Sequence, residues 1–440
     1  MTKPDAKADL IVTNGNLLTM DPNVPWIEDG ALSVSGGRIV EIGPAAAFEA
    51  RPAVRRLDAG GGIVMPGLVN CHTHAAMTCF RGLADDLPLE TWLNEHIFPA
   101  EARLDEEMVH WGTLLACAEM IRSGTTCFCD MYLFEEAVAR AAKQAGMRAV
   151  VGEVLYDFPS PNYGPIEKGF AYTRRLAARW RDDPLISVAV EPHSPYLCNA
   201  ALLEEAAGLA EEAGLLLVLH LSETRGEVEN SIAQRGVSPV GHLARLGVLS
   251  SRLLACHCVW VSEGDIETLA GFGVKVAHNP ESNMKLASGI APVPQMIEAG
   301  ICVGLGTDGC ASNNDLDLFA EMDTAAKLHK VNTLDPTVLD AARVLKMATV
   351  DGAAALGLGT ITGSLTPGKR ADLVVVETRR PHLTPLYHPV SHLVYAVRGG
   401  DVASTVIDGR VVMEDRKLLT LDMSQIGAAV SEIAGRIRSR

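Results

Sequence analysis

Short apolar runs alternate with helical patterns through the middle of this 440-residue chain. Eight of these runs have the near-continuous apolar character of parallel strands that are covered on both faces. In chain order they read GIVMPGLVN, TTCFCDM, MRAVVGEV, ISVAVEPH, LLLVLHLSE, LLACHCV, VKVAHN and CVGLGTD. Helical segments lie between them, for example from an Asp105 cap through Met108 and Ile121 to Gly124. Eight βα units within about 250 to 300 residues predict a (β/α)8 TIM barrel, an α/β fold.

The two ends of the chain resemble each other and differ from the middle. Residues 9–56 carry strand-like runs separated by Asn-Gly and Gly-Gly turns, which are typical of hairpins. The C-terminal region carries ADLVVVE and ASTVIDGRVVMED, in which Asp408-Gly409 predicts another hairpin turn. We therefore expect a small β-sandwich domain built from residues 1–63 and 364–440, and a barrel domain over residues 64–363.

Polar side chains recur at the C-terminal ends of the predicted barrel strands. They are His72 and His74 on the first strand, His193 on the fourth, His220 and Glu223 on the fifth, His257 on the sixth and Asp308 on the eighth. A single polar residue at a strand end is usually a hydrogen-bonded residue at the edge of a core. The C-terminal face of a TIM barrel, however, is where its active sites are built. So many polar residues on this one face indicate a functional site.

The chemistry of four of these residues is that of a metal site. In an extended strand, positions i and i+2 face the same side, so His72 and His74 can both point into the barrel. His220 adds a third imidazole and Asp308 a carboxylate, a ligand set that suits Zn²⁺. Fe²⁺ and Mn²⁺ accept the same ligands. If a divalent metal here expands to five ligands, these four leave a position open for water, whose pKa zinc lowers to about 7.

Hydrolysis by such a water also requires groups that move its protons. Glu223 lies three residues beyond His220 and can accept the water proton, then deliver it to the leaving group or to a ring nitrogen. His257 can orient the water or polarise the centre that is attacked. Cys256 and Cys258 flank His257, and strand alternation points them the opposite way, so they are not expected to be ligands.

Composition excludes several other classes of protein. The formal net charge of −16 argues against a nucleic-acid partner, because such proteins usually present a basic face. No uncharged apolar stretch of 18 residues or more occurs, so no membrane span is expected. The N-terminus MTKPDAKADLIV lacks the apolar region of a secretory signal, and the ten cysteines suit reduced thiols. We expect a cytoplasmic protein.

Six motifs, taken in order, resemble those of the amidohydrolase superfamily. They are PGLVNCHTHAAM, EPHSPYLC, LHLSET, ACHCVW, HNPESNMKLASG and GLGTDGCASNND. Within the superfamily they are similar to the branch of 5-methylthioadenosine/S-adenosylhomocysteine deaminases, with guanine deaminases and triazine hydrolases as neighbours. The resemblance runs along essentially the whole chain, and GSLTPGKRADLVVVE resembles the C-terminal β-sandwich strands of these enzymes.

The resemblance implies a role for each matching residue. Glu101, in IFPAEARL, matches the glutamate that binds the ribose hydroxyls, and His193 matches a histidine that contacts the purine. His193 also stands where binuclear members carry a carboxylated lysine, which implies a mononuclear site. The remaining matches are the metal ligands His72, His74, His220 and Asp308, the proton-shuttling and water-orienting pair Glu223 and His257, and Asp308 again as a base. A homo-oligomer is expected from the same resemblance.

One segment departs from the pattern of this branch. Its members carry arginines after the third strand that contact the 5′ side of the substrate, whereas here VGEVLYDFPSPNYGPIEKGF contains Glu153 and no arginine before Arg174. A carboxylate-bearing 5′ substituent would lose a bidentate partner.

The loop from Asp85 to Leu93 is expected at the rim of the pocket, where Trp92 and Leu93 either pack on a base or belong to the core. His278 is expected to organise a loop, together with Asn279, Ser282 and Asn283, and His329 to be a surface or packing residue.

The predicted activity is therefore hydrolytic deamination of an adenosine-type nucleoside: 5′-methylthioadenosine, S-adenosylhomocysteine, 5′-deoxyadenosine or adenosine. The alternative is a hydrolase of another N-heteroaromatic ring of the guanine, cytosine or triazine type. Glu101 and His193 favour a nucleoside, because a bare base has no ribose to bind. A third possibility, a barrel that only binds a partner, is disfavoured because all four ligand positions and both shuttle positions are intact.

Overall fold

The computed structural model describes residues 7–87 and 91–438. Its strands, in chain order, are β1 Ala8–Leu18, β2 Trp26–Ser35, β3 Arg38–Pro44, β4 Ala53–Asp58, β5 Ile63–Pro66, β6 Leu68–Thr73, β7 Thr125–Tyr132, β8 Arg148–Leu155, β9 Ile186–Pro192, β10 Leu216–Leu221, β11 Leu253–His257, β12 Lys275–His278, β13 Val303–Leu305, β14 Leu373–Val376, β15 Val402–Ile407, β16 Arg410–Glu414 and β17 Lys417–Leu418.

Helices connect the strands of the middle region, and one helix forms the last described segment of the chain. The α-helices are Phe98–Glu101, Glu106–Arg122, Glu135–Ala145, Ile166–Trp180, Ala200–Ala213, Arg225–Arg235, Pro239–Arg245, Glu263–Gly271, Pro280–Lys285, Val293–Glu298, Leu318–Thr333, Ala341–Met347, Val350–Ala355, Pro389–Tyr395 and Met423–Arg438. Short 3-10 turns occur at Ala45–Phe48, Ala75–Phe80, Pro381–Leu383 and Gly399–Asp401, and a π-helix at Trp92–Ile97. Within residues 7–87 and 91–438, no helix is long and apolar enough to cross a membrane.

Strands β6 to β13 form one parallel sheet in which each strand pairs with its neighbour in sequence. The last strand returns to the first, where the Asp308 N–H donates to the His72 carbonyl at 2.9 Å. Apolar residues from these strands and from the surrounding helices form a single large core. The helix predicted from Asp105 occurs at Glu106–Arg122, with the Asp105 carboxylate accepting the Met108 N–H at 2.9 Å. The (β/α)8 barrel is confirmed.

A second sheet of nine strands is built from both termini. Its order is β17-β16-β15-β14-β5-β1-β2-β3, and β4 pairs with β1. Both halves of this sheet face one apolar cluster, which includes Leu10 and Val12 of β1 and Leu373 and Val375 of β14. The predicted Asp408-Gly409 turn joins β15 to β16, with positive φ angles of 52° and 76°. A separate β domain that combines the two termini is therefore confirmed.

The prediction that GIVMPGLVN forms one barrel strand is wrong. Its first half is β5, which pairs with β1 and β14 in the terminal sheet, and only its second half, β6, belongs to the barrel. Pro66 and Gly67 separate the two, because proline ends the hydrogen-bonded ladder and the chain must turn closely past Thr126. The proposed domain limits at 63/64 and 363/364 stay predictions.

Candidate active site

Four histidines and one aspartate meet at the C-terminal face of the barrel. His72 and His74 come from the end of β6, His220 from β10 and His257 from β11, while Asp308 follows β13. The ring centroid of His72 lies 4.9 Å from those of His74 and His220 and 5.5 Å from that of His257. The Asp308 Oδ1 lies 3.1 Å from His74 Nε2 and 3.5 Å from His72 Nε2. The sequence-predicted residues therefore converge on one point.

The arrangement of these donors fits a divalent metal. The His72 side chain is fully buried, yet neither of its ring nitrogens has a hydrogen-bond partner. An unsatisfied buried polar group is costly, and a metal would satisfy one of these nitrogens. Two groups of three ligand atoms each lie within 4.8 Å: His72 with His220 and His257, and His72 with His74 and Asp308. His257 is thus as close to this centre as the four predicted ligands.

Backbone carbonyls orient two of the imidazoles. The Nδ1 of His74 lies 2.5 Å from the Met131 carbonyl, and the Nδ1 of His220 lies 2.8 Å from the His193 carbonyl. A carbonyl can only accept, so each Nδ1 carries the proton and donates it. When these rings are neutral, each Nε2 keeps a lone pair for the centre, which is the second-sphere arrangement typical of metal-binding histidines. Burial and the neighbouring histidines hold the pKa of His220 well below its usual value.

The Asp308 carboxylate is held on both of its oxygens. Its Oδ2 accepts from the hydroxyls of Ser282 and Ser312 at 2.7 and 3.0 Å, and its Oδ1 accepts from the Gly309 N–H at 2.9 Å. Burial acts to raise the pKa of Asp308, but the hydrogen bond and charge of His74 hold it well below its ordinary value. Burial likewise opposes the charged form of His74, yet Asp308 raises the pKa of His74 to about 9. The carboxylate therefore stays ionised and fixed.

Three of the strands end in a residue with a left-handed backbone. The φ angles are 51° at Ser222 after β10, 73° at His257 on β11 and 62° at Asp308 after β13. Such conformations cost about 1–3 kcal/mol each and persist where the surrounding structure enforces them. At His257 the ring is also held, since its Nδ1 lies 2.9 Å from Asn283 Oδ1 and 3.3 Å from the Asn279 amide. The loop residues Asn279, Ser282 and Asn283 therefore contact site residues, as expected.

A cavity opens above this cluster. It is lined by His74, Met77, Trp92, Leu93, Ile97, Phe98, Glu101, Met131, Tyr132, Leu133, Val154, Tyr156, Phe158, His193, Tyr196, Leu197, His220, Glu223, His257, Leu286, Asp308 and Ser312. Both predicted rim residues, Trp92 and Leu93, are on its wall, and residues 88–90 of the predicted loop lie outside the described residues. Lysine and arginine do not occur on this wall in the part of the chain that the structure describes.

Glu101, Glu223 and His193 on the cavity wall have altered pKa values, in addition to the metal-site residues described above. Burial raises the pKa of Glu223 and raises that of Glu101 to about 7. Burial, reinforced by the neighbouring His74 and His257, lowers the pKa of His193 to about 3. His193 is therefore a neutral imidazole near pH 7, and Glu101 can carry a proton close to neutrality.

Glu153 takes no part in the cavity wall. It lies on β8 and is fully buried, where its carboxylate accepts from the Glu135 N–H at 2.9 Å and from the Asn162 amide at 2.8 Å. The wall is formed instead by Val154, Tyr156 and Phe158. The rings of Tyr156 and Phe158 stack at 3.9 Å with an interplanar angle of 14°. The segment that lacks arginine therefore presents an apolar, aromatic surface.

Sequence reasoning missed several supporting residues. Asp130, at the end of β7, accepts from the Thr73 hydroxyl and the Ala75 N–H, both at 2.6 Å, and so anchors the segment that carries His72 and His74. It ends the run TTCFCD, so the rule applied to the other strand ends also covers it. Ser312 gave no comparable signal. Outside the site, His278 Nε2 lies 3.1 Å from His329 Nε2, and both residues are buried.

The model of the amidohydrolase family matches residues 63–412. The chain belongs to the amidohydrolase family. The resemblance seen in the motifs is thereby confirmed, and this family is metal-dependent.

This amidohydrolase is similar to proteins with named activities. A 5-methylthioadenosine/S-adenosylhomocysteine deaminase from Syntrophobacter fumaroxidans is 58% identical over 434 residues, which cover 98% of this chain and 99% of that relative. A 5′-deoxyadenosine deaminase from Methanosarcina mazei is 46% identical over 438 residues, 98% of this chain and 100% of the relative. The crystal structure of an adenosine deaminase from Xanthomonas campestris with bound zinc superposes with a TM-score of 0.97 at 43% identity, covering 99% of this chain and 100% of that one.

Proposed function

We propose that this amidohydrolase is a metal-dependent deaminase that converts an adenosine-type nucleoside to the inosine analogue and ammonia. The observation that carries the proposal is the convergence of four imidazoles, the Asp308 carboxylate and the buried Glu223 at the floor of one cavity. The relatives named above, with deaminase activities on such nucleosides, support it. A cytoplasmic location and a homo-oligomeric state are proposed on the sequence alone.

We assign one divalent metal, zinc, to His72, His74, His220 and Asp308. The assignment is supported by the unpaired nitrogens of His72 and by the Nε2 lone pairs of His74 and His220. A zinc-containing structure with the same fold supports zinc, although Fe²⁺ and Mn²⁺ suit the same donors. When bound, such a metal lowers the pKa of a coordinated water to about 7 and so supplies a hydroxide nucleophile. His257, with Nδ1 held by Asn283, is proposed to orient the attacking water.

Proton transfer is assigned to Glu223 and Asp308. Glu223 takes one proton from the attacking water and delivers it to the ring nitrogen N1, a transfer that suits a carboxyl whose pKa burial has raised. Asp308 acts as the base for the second proton, which passes to the departing amino group. The C6–O bond forms and the C6–N bond breaks, so that one water and one aminopurine give one oxopurine and one ammonia.

The cavity wall supports a nucleoside with a small or apolar 5′ group. The Glu101 carboxylate is proposed to accept hydrogen bonds from the ribose hydroxyls, and the neutral His193 is proposed to contact the purine. An aminocarboxylate at the 5′ end, as in S-adenosylhomocysteine, would find no cation on the described wall. A hydrogen bond to a charged group contributes about 1.5–3 kcal/mol. We therefore expect kcat/KM for 5′-deoxyadenosine, 5′-methylthioadenosine or adenosine to exceed that for S-adenosylhomocysteine by about 10-fold or more.

The experiment is a substrate panel followed by ammonia release from the zinc-loaded protein. It contains adenosine, 5′-deoxyadenosine, 5′-methylthioadenosine, S-adenosylhomocysteine, guanine and cytosine. Turnover of the nucleosides is expected, and Glu101→Gln should lower it while leaving any activity on bare bases unchanged. Ammonia from guanine or cytosine alone would refute the proposal and favour the alternative hydrolysis of another N-heteroaromatic ring.

A further inference from the structure

The carboxylate of Glu227 contacts the backbone that carries Glu223. Glu227 lies in the first turn of the helix Arg225–Arg235, and its Oε1 and Oε2 accept from the amides of Ser222 and Glu223 at 3.0 and 2.8 Å. One side chain thus binds two consecutive N–H groups at the end of β10. Both residues are buried, with Ser222 fully inaccessible and Glu223 8% exposed.

This contact differs from ordinary helix capping. The sequence TRGE has the Thr-x-x-Glu spacing of a capping box, and the Thr224 hydroxyl accepts the Glu227 N–H at 3.2 Å as the box requires. In a capping box, the glutamate would bond the N–H of the cap residue itself. Here it reaches past Thr224 to the two residues before it. The carboxylate therefore orders the segment that precedes the helix.

The segment depends on this support for two reasons. Ser222 has a left-handed φ of 51°, a conformation that a residue with a side chain adopts only when its surroundings enforce it. The carbonyls of Leu221 and Ser222 are already engaged by the amides of Cys258 and Trp260, at 3.0 and 2.9 Å. The amides of Ser222 and Glu223 have the Glu227 carboxylate as their acceptor. Without it, two buried donors would lose their partner.

We propose that Glu227 is a positioning residue, which fixes the backbone of Glu223 so that its carboxyl reaches the ring of the bound nucleoside. The inference rests on the proposed function of Glu223 in proton transfer. Glu227 itself is absent from the cavity wall and so acts only through Glu223. A displacement of about 1 Å in a reacting group can lower a rate by about 100-fold, so the effect should fall on kcat.

Two variants and one matched control test this role with the zinc-loaded protein and 5′-deoxyadenosine. We expect Glu227→Ala to lower kcat by about 10- to 100-fold while KM changes by less than about threefold and zinc content stays at wild-type level. Glu227→Gln keeps one acceptor oxygen and should lie between Glu227→Ala and the wild type. The control is Glu229→Gln, on the same helix, whose exposed carboxylate accepts from the Arg225 side chain at 2.7 Å; its kcat should be unchanged.

The outcomes separate this proposal from the proposed function. If the wild-type protein releases no ammonia from any nucleoside, the proposed function fails. If the wild type is active and both Glu227 variants have wild-type kcat, the positioning role alone is refuted. A variant whose kcat falls only together with its zinc content would also refute it, because that would indicate general disruption of the barrel. Should Glu227→Ala fail to fold, Glu227→Gln decides between these results by its kcat at full zinc content.

Discussion

Gly306 lies between β13 and Asp308, where the chain after the last barrel strand packs against the first. A Cβ atom added there would lie 2.4 Å from Asn279 Oδ1 and 2.9 Å from both the backbone nitrogen and the Cβ of His72. Non-bonded heavy atoms prefer separations of about 3.5 Å or more. The backbone nitrogen of His72 cannot rotate away as a side chain could. Gly306→Ala must therefore push β6 and β13 apart by about 0.5 Å.

This displacement acts on stability and on the ligands together. Overpacking a close contact of this kind costs about 1–3 kcal/mol of unfolding free energy. Both strands carry proposed ligands, His72 on β6 and Asp308 just after β13. Shifts in the residues that hold metal ligands typically lower metal affinity or activity by about 10- to 100-fold. We expect Gly306→Ala to bind zinc more weakly by this factor and to lose a similar factor in kcat/KM.

Urea unfolding and zinc competition against a chelator measure the two effects separately. The matched control is Gly208→Ala, in the helix Ala200–Ala213, where an added Cβ meets no atom within 4 Å. In that helix, alanine should stabilise the protein by about 0.5–1 kcal/mol and leave zinc affinity unchanged. If Gly306→Ala were as stable as the wild type and bound zinc equally well, the strand contact would not be what fixes His72 and Asp308.

Three further predictions concern the site itself. Glu223→Gln should retain zinc and lose kcat by about 100-fold or more, because it removes the proton carrier but no ligand; steady-state rates and metal analysis of the same sample check this. Because the pKa of Glu101 is raised to about 7, its carboxylate ionises as the pH rises through about 7, which should steepen the rise in kcat/KM for nucleosides that the metal-bound water produces in the same range; Glu101→Gln should make that rise shallower in a pH profile. Chelation should lower the melting temperature, because the metal-binding nitrogen of buried His72 loses its partner, and zinc at about 100 times its Kd should restore about 2.7 kcal/mol; a melting temperature independent of zinc would contradict the assigned ligands.

The sequence predicted the convergence of distant residues because strand geometry is regular. Parallel strands place their C-terminal ends at one face, so the order of strands and helices along the chain is enough to bring His72, His220 and Asp308 together. The same regularity holds at β8. Alternation places Val154 and Glu153 on opposite faces of the strand, which explains why Val154 lines the cavity and Glu153 is buried away from it.

Other features depend on contacts that no local pattern indicates. Pro66 and Gly67 mark the break between β5 and β6, but which sheet each half joins depends on β14, far away in the chain. The hydroxyl of Ser312 and the carboxylate of Glu227 have ordinary sequence surroundings. The hydrogen-bond partners of Ser312 and Glu227 are determined by how the backbone turns after β13 and β10. At these turns Asp308 and Ser222 both have left-handed backbone conformations. Such contacts depend on tertiary geometry that pattern and composition do not contain.

The central claim is that one metal per chain enables deamination of an adenosine-type nucleoside. It is tested most directly by titrating zinc into the metal-free protein and measuring ammonia release from 5′-deoxyadenosine at each step. We predict no turnover without metal, and a linear rise that saturates at one zinc per chain. Turnover in the metal-free protein, saturation only at two zinc ions per chain, or no ammonia at any zinc level would contradict the account.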